Sequence, residues 1–476
     1  MSRDRTRKTA SWFAFLLIGS HTCSAPLRAG DWAISGTVLT PDQTIADGAV
    51  TISDQVIKAV GGSTSIRAGI PIIKSGAIVL PGFIDLHNHL TWNILPRWVP
   101  NHKFTNRYEW QDTAEYDRAL IAPHSAAMAS AACEAEIYAE VKAIVGGATS
   151  VVGSLMPDKD HPDNIACSKG LARNLDAASD LKFIHPLPND PCEKDSHNLQ
   201  TLFDVVDSEV FPMEVQHDRM DFLRCVLASG ELRGLTVHLS EGAPSDASAR
   251  REFRMLSSEG LIQPGLIVVH GSALRAEDFQ LLGQKKAGLV WSPRSNDELY
   301  GATANIAAAI HESVVVAIAP DWSPTGSAGM LQEIGYAARR YKFFGPDQLI
   351  SMATSIPAQL ARVNDSIGSL LPGKLADIVV IRGDRANPFQ AVSLASPADI
   401  MLVVVGGQAL YGDVGMLSRL LPAASLEPIS VCGSKKAIYL GNSDAASRGE
   451  TFLTIQAILS AALKKAGSDL TAIECD

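Results

Sequence analysis

The sequence predicts an α/β chain: a (β/α)8 barrel of the TIM type beside a small composite β-sandwich built from N- and C-terminal segments. Three observations predict it. Between about 81 and 363, short apolar runs alternate with helical stretches. Residues able to bind a metal fall at the ends of those runs. Two β-rich stretches, before and after this centre, share one texture of short runs punctuated by Gly and Asp.

A chain of 476 residues exceeds one small domain and suits a large barrel with a lesser module. With 46% apolar and 19% charged residues, the composition is that of an ordinary soluble globular enzyme. The net charge of −10 provides no basic field for a nucleic acid and reads as a solvated surface. The small sheet begins in AISGTVLT and GAVTISDQVIKAVG and resumes in IGSLLPGKLADIVVIRGD and DIMLVVVGGQALYG. In the centre, strands are expected to end near Asp85, Gly153, Ile184, His238, His270, Trp291 and Ala319. An eighth is expected between Leu187 and Gly234, around Leu202–Val210. Amphipathic stretches such as Ala129–Val145 and Met330–Tyr341 supply the crossovers, and Thr451–Lys465 reads as one more helix in the tail. The expected boundaries are a signal peptide over 1–29, sandwich segments over 30–80 and 364–413, the barrel over 81–363, and an extension over 414–476.

Arg3, Arg5, Arg7 and Lys8 precede the apolar run Trp12–Gly19, and small residues follow through Ala25 and Ala29. That pattern reads as a secretory signal, and the run is too short to span a bilayer. Export to a periplasm or the medium is therefore expected, with no integral membrane segment in the mature chain; if the signal is misread, the chain is cytoplasmic. The seven cysteines include no CxxC, which argues against a Cys-rich zinc cluster. With Cys23 inside the signal six remain, and export permits disulfides. Cys432 and Cys475 are placed to tie down the tail, with buried free thiols as the alternative.

Chemistry concentrates at the expected strand ends. His87 and His89 stand at i and i+2, so both imidazoles point to one side of an extended chain. His238 closes another run and Glu241 follows three residues later; His270 and Asp321 close two more. Singly, each has an ordinary reading: a satisfied histidine, a glutamate at a helix start, an aspartate N-cap. As a set they lie where barrel active sites lie. A His/His/His/Asp sphere suits one first-row divalent metal, with a position open for water. Zinc is the first choice, and iron and manganese tolerate the same donors.

The loop after the first barrel strand is dense in aromatics: Trp92, Trp98, Phe104, Tyr108 and Trp110, with Arg107 among them. It is expected to overhang the pocket, with Trp92 and Tyr108 as wall and Arg107 meeting a substrate carboxylate or carbonyl. Packing of a long lid against the barrel is the competing expectation. Arg294 and Asn296, in WSPRSN, also follow a strand and are further substrate-binding candidates.

The order HxH, HxxE, His, Asp resembles the amidohydrolase superfamily, in its cytosine-deaminase-like and triazine-hydrolase-like branch. PGFIDLHNHL is similar to the family's first-strand motif, and GGATS (146–150) to its second-strand entry. VHGSALRAEDFQLLGQKKAGLVWSPRSNDELYG (269–301) is similar to its sixth and seventh units. PDWSPTGSAGMLQE (320–333) resembles its Asp motif, and IGSLLPGKLADIVVI (367–381) the return to the small sheet. The resemblance covers about 32–413.

It implies that His87, His89, His238 and Asp321 hold the metal while Glu241 and His270 move protons. Asp321 would accept the proton of the attacking water, giving hydroxide near neutral pH. His270 would stabilise the tetrahedral intermediate, and Glu241 would protonate the departing nitrogen. Binuclear relatives carry a bridging lysine at a strand mouth; Lys182 stands at a strand start instead, so one metal is expected. Ala319, Pro320 and Trp322 depart from the family's usual neighbours of this aspartate and leave the substrate open. The implied activity is hydrolysis of non-peptide C–N bonds in a small molecule, as deamination of an amino-heterocycle or opening of an amide or lactam. Hydrolytic dehalogenation of a heteroaromatic and a catalytically silent binding protein are the alternatives. A homo-oligomer is compatible with the sequence.

Overall fold

The computed structural model describes residues 31–154, 167, 170–176, 181, 192, 206–210, 217–230, 232–441, 443–473 and 475. β-Branched runs at the start of the chain pair as β1 (Trp32–Leu39), β2 (Thr44–Ser53), β3 (Val56–Gly62) and β4 (Ile72–Pro81). Gly82 then turns the chain into the barrel. Its strands are β5 (Phe83–Asp85), β6 (Ala148–Val151), β7 (Arg173–Asn174), β8 (Val206–Val210), β9 (Gly234–Leu239), β10 (Leu266–His270), β11 (Gly288–Trp291) and β12 (Val315–Ile318). The chain returns through β13 (Ile378–Ile381), β14 (Ile400–Val405), β15 (Gln408–Gly412), β16 (Glu427–Val431) and β17 (Ser434–Ile438).

The barrel strands run parallel in chain order, in two arcs of three (β5-β6-β7) and five (β8 to β12). Among the described residues their ladders do not close into a ring. Single contacts bridge the seams: Val206 N–H donates to Leu175 O at 3.2 Å, and His89 N–H to Asp321 O at 3.0 Å. The architecture is a TIM-barrel-like α/β fold, with nearly every side chain of β9 to β12 buried, as a parallel sheet covered on both faces requires. Helices Ala122–Val145 and Met330–Arg340 fall on two of the expected crossovers, and β8 falls where the hidden strand was expected.

The strand expected to end near Ile184 lies outside the described residues, together with Lys182. β7 lies earlier, at Arg173–Asn174, and is polar. Arg173 is buried there because its guanidinium meets the Asp377 carboxylate, with Nη2 donating to Oδ1 at 3.1 Å. An ion pair holds this strand where an apolar run holds its neighbours.

The ends of the chain share one sheet. Its nine strands run β16-β17-β15-β14-β13-β4-β1-β2-β3. The link is β4, which pairs in parallel with β1 on one edge and antiparallel with β13 on the other. N- and C-terminal strands are thereby joined in one composite sheet. Period-2 alternation splits the sheet between two cores. Val79, Ile378 and Val380 face a core of their own, while Ile78, Leu80, Val379 and Ile381 join the core that packs the barrel.

The tail helix Phe452–Lys465 is capped by Thr451, whose Oγ1 accepts from Thr454 N–H at 3.1 Å. It lies on Ala122–Val145, with Phe452 stacked on Tyr138 at 5.6 Å. Disulfides join Cys432 to Cys475, as the sequence suggested, and also Cys133 to Cys167 and Cys192 to Cys225. Among the described residues no helix is long and apolar enough to cross a membrane.

Gly153 ends β6 with φ +98°, and a Cβ there would lie 1.8 Å from Asn88 O, inside the loop that carries His87 and His89. Gly153→Ala combines a left-handed backbone with a clash against main chain. It should cost more than about 1 kcal/mol in denaturant unfolding; an unchanged midpoint would show that this loop yields.

Candidate metal centre and active site

Each polar side chain of the centre stands where an apolar strand runs out. β5 delivers His87 and His89, β9 delivers His238 and then Glu241, β10 ends at His270, and Asp321 follows β12. Ser240, His270 and Asp321 all take left-handed backbone, with φ of 52°, 65° and 71°. Each such residue costs on the order of 1–3 kcal/mol and persists only where the surroundings hold it. The strand directions alone would not turn these side chains inward.

His87 Nε2 lies 3.0 Å from Asp321 Oδ1, and His89 Nε2 lies 3.6 Å from the same oxygen. His238 Nδ1 and His270 Nε2 approach Glu241 Oε2 at 3.5 and 3.7 Å. The ring of His87 is central, 4.5 Å from His238, 5.1 Å from His89 and 5.2 Å from His270. One donor atom each from His87, His89 and His238 falls within 4.8 Å of the others; the same holds for His87, His270 and Asp321, and for His238, Glu241 and His270.

Burial, reinforced by neighbouring imidazoles, holds His87 below the ordinary histidine range and lowers His89 and His238 to about 4. That holds for His89 although 35% of its side chain faces the cavity, because it lies against the imidazoles of His87 and His238. These rings are therefore neutral donors at pH 7. Burial raises the carboxyl of Asp85 to about 8. For Glu241 burial also acts upward, but His270, His238 and Arg107 outweigh it and hold the carboxyl well below its usual range.

A hydrogen-bond chain ties the His87 turn to the Asp321 loop. Asn88 Nδ2 donates to Asp85 at 2.6 Å, Asn93 Nδ2 to Asn88 Oδ1 at 2.8 Å, and Ser323 N–H to Asn93 Oδ1 at 2.6 Å. Behind His270, Asn296 donates from Nδ2 to Thr303 Oγ1 at 3.2 Å, which turns its Oδ1 toward His270 Nδ1 at 3.0 Å. The proton on that ring nitrogen is assigned from this bond. Tyr300 OH donates to Glu241 Oε1 at 2.6 Å and accepts from Trp110 Nε1 at 2.8 Å.

The cavity above the cluster measures about 280 Å³. Trp92, Trp110, Tyr116 and Trp322 wall it, and His89, Glu241, His270 and Asp321 reach into it. Trp92 is stacked on His124 at 3.7 Å. The lid thus divides: Trp92 and Trp110 face the cavity, while Trp98 and Phe104 are buried in the core.

Several expected substrate contacts fall elsewhere. Arg107 borders the cavity, but its guanidinium lies 3.4 Å from the Glu252 carboxylate and donates to Tyr108 OH. Tyr108 is outside the lining and donates to Glu252 at 2.6 Å. Arg294 is also outside; its guanidinium lies over the Tyr336 ring, because the Pro293–Tyr300 helix directs it away from the cavity. Asn296 is fully buried behind His270. Sequence reasoning missed Tyr116, Tyr300 and Trp322. Tyr300 was open to detection, since it stands four residues after Asn296 and so shares its helix face.

A family model for the amidohydrolase family matches residues 78–410. The chain belongs to the amidohydrolase family. Among the relatives of this amidohydrolase is a 5-methylthioadenosine/S-adenosylhomocysteine deaminase of Syntrophobacter fumaroxidans, 24% identical over 433 residues, 82% of this chain and 95% of that protein. An adenosine deaminase of Xanthomonas campestris with bound zinc shares the fold with a TM-score of 0.60 at 18% identity, over 80% of this chain and 92% of that one. Atrazine chlorohydrolase of Arthrobacter aurescens TC1, complexed with zinc, does so with a TM-score of 0.61 at 19% identity, over 79% and 94%. The amidohydrolase is thus a hydrolase whose relatives include deaminases of heterocycles.

Protonation competes with metal for an imidazole, so lowered histidine pKa values move that competition toward acid. Affinity for a divalent metal should therefore stay level down to about pH 5.5 and begin to weaken only as pH falls through about 4, where the metal-free rings of His89 and His238 protonate. Metal-binding titrations across that range check this; affinity that already falls through pH 6.5 would mean that the imidazoles behave as free histidine.

Proposed function

We propose that this amidohydrolase deaminates an amino-substituted nitrogen heterocycle by hydrolysis, with one divalent metal ion, zinc before iron or manganese. The observation that carries the reading is the convergence of four imidazoles and two carboxylates beneath an aromatic wall. The donor set fits such an ion: neutral imidazoles and a carboxylate oxygen within a few ångströms are the ligands it prefers. His87, His89, His238 and Asp321 would hold it. Bound there, it supplies the Lewis acidity that makes water nucleophilic near neutral pH.

The protein's own groups supply the rest. Asp321 Oδ1 faces His87 and His89 and accepts the proton of the attacking water. Glu241 is held deprotonated at rest, so it would take the second proton of the water and deliver it to the leaving nitrogen, while the proton on Asp321 passes to the ring nitrogen of the product. With Nδ1 toward Asn296, His270 keeps Nε2 beside Glu241, where it stabilises charge on the substrate. Water adds to the carbon, the C–N bond breaks, and ammonia leaves. Trp92, Trp110 and Trp322 favour a flat aromatic ring over a flexible amide, because stacked area orients a planar substrate.

Export is part of the proposal. The basic start and apolar run lie outside the described residues, but all six cysteines beyond Cys23 are paired, as an oxidising compartment favours.

Purified protein is expected to hold about one equivalent of divalent metal per chain and to lose activity when stripped. Ammonia release from amino-heterocycles, screened beside an amide and lactam panel, decides the substrate class. Acid or amine from the second panel, with no ammonia from the first, would replace deaminase by amidase. Full activity without metal would remove the mechanism.

Glu241→Gln keeps the hydrogen bond from Tyr300 but cannot carry the proton. Turnover should fall about 10²–10⁴-fold while metal content holds. Loss of metal with turnover preserved would make Glu241 a ligand instead.

A further inference from the structure

We infer that Arg107, Tyr108 and Glu252 form a positioning unit that sets the affinity of the centre for its metal by holding the main chain of the His238–Glu241 turn. The inference rests on the metal-site reading above. It assigns to the lid a task at the metal rather than at the substrate.

The turn after β9 has to place two functional side chains within four residues, and Ser240 passes through left-handed backbone to do so. Glu252 and Arg107 hold it from two sides. Glu252 Oε2 accepts from Ser240 N–H at 2.6 Å, and its Oε1 accepts from Tyr108 OH at 2.6 Å. Arg107 Nη1 donates to the carbonyl of His238 at 3.3 Å, and its own N–H donates to Glu241 O at 3.4 Å. The Arg107 and Glu252 side chains are 2% and 3% exposed and 3.4 Å apart. Main chain completes the clamp: Asn106 bridges Gly242, and Ala243 N–H donates to Thr105 O at 2.7 Å.

A buried cation and carboxylate with so many bonds to one turn do not point to substrate recognition. Every side-chain bond named ends on the backbone of His238 or Ser240 or within the unit. A displaced carbonyl at His238 moves the imidazole it carries, and outer partners of metal ligands typically govern affinity by 10–100-fold. A merely structural pair would behave differently. Breaking one partner leaves a buried charge and lowers stability, whereas removing both can restore it.

The test uses the whole protein with cobalt(II) as probe, read by chelator competition and by the visible absorption of bound cobalt, beside melting temperature. Glu252→Gln and Arg107→Met should each weaken cobalt binding 10–100-fold and alter its spectrum. Tyr108→Phe, which removes only the hydroxyl, should weaken it less and leave melting nearly unchanged, which keeps the test intact if the buried variants fold poorly. The double variant Arg107→Met/Glu252→Gln should recover melting temperature while cobalt binding stays weak. Affinity that recovers together with melting temperature, or single variants within twofold of the parent, would overturn the inference and leave the metal site standing. A parent protein that binds no cobalt and no zinc would overturn the metal-site reading and this inference with it.

Discussion

Burial at the mouth of the barrel is the constraint on which the rest of the structure depends. Four imidazoles and two carboxylates share a space from which bulk water is largely excluded, and desolvation works against every charge among them. His87, His89 and His238 respond by staying neutral, which makes them donors rather than cations. Carboxyls in and beside the cluster diverge: burial pushes Asp85 up to about 8 against the lowering bond from Asn88, while His270, His238 and Arg107 hold Glu241 low against its own burial. Environments that push two carboxyls apart let one fold assign them different duties. Asp85 orients Asn88 and the His87 turn; Glu241 stays a carboxylate.

Such a cluster has to be held against its own strain. Left-handed residues at the ends of β9 and β10 and after β12 each cost on the order of 1–3 kcal/mol. The strands behind them are almost fully buried, and that apolar burial, at about 25 cal/mol per Å², offsets the cost many times over. The chain of Asp85, Asn88, Asn93 and Ser323 then locks the first strand end to the last across the seam that the ladders leave open.

What was legible in the sequence follows from the range of the forces involved. His87 and His89 could be placed because strand period is local, and His238, His270 and Asp321 because an apolar run announces its own end. The composite nature of the small sheet was legible as texture, but the order of its strands was not. That depends on which edge of β4 meets β13, a pairing between distant segments. β7 escaped because an ion pair between residues 204 apart, Arg173 and Asp377, holds a strand without an apolar signature. Arg107 was read as facing substrate for the same reason: Glu252, which binds its guanidinium, lies 144 residues from Tyr108 and carries no local sign of the contact. A buried arginine and a substrate-binding arginine look alike until the partner is found.

The C-terminal extension, which carried no recognisable chemistry as sequence, acquires a physical role through what it touches. Its helix covers Ala122–Val145, the first crossover of the barrel, and the segment after the helix reaches the base of the lid, where Thr471 N–H donates to Ile94 O at 2.9 Å. Tyr138 on that crossover donates to Thr471 O at 2.5 Å. Lys142, one turn further along, donates to Asn93 O at 2.8 Å and so meets the hydrogen-bond chain that joins His87 to Asp321. The disulfide Cys432–Cys475 closes a 43-residue separation around this tail, worth about 4 kcal/mol if its effect is the chain entropy removed from the unfolded state. Tail, crossover and lid base are therefore one braced unit, and it lies directly behind the metal centre.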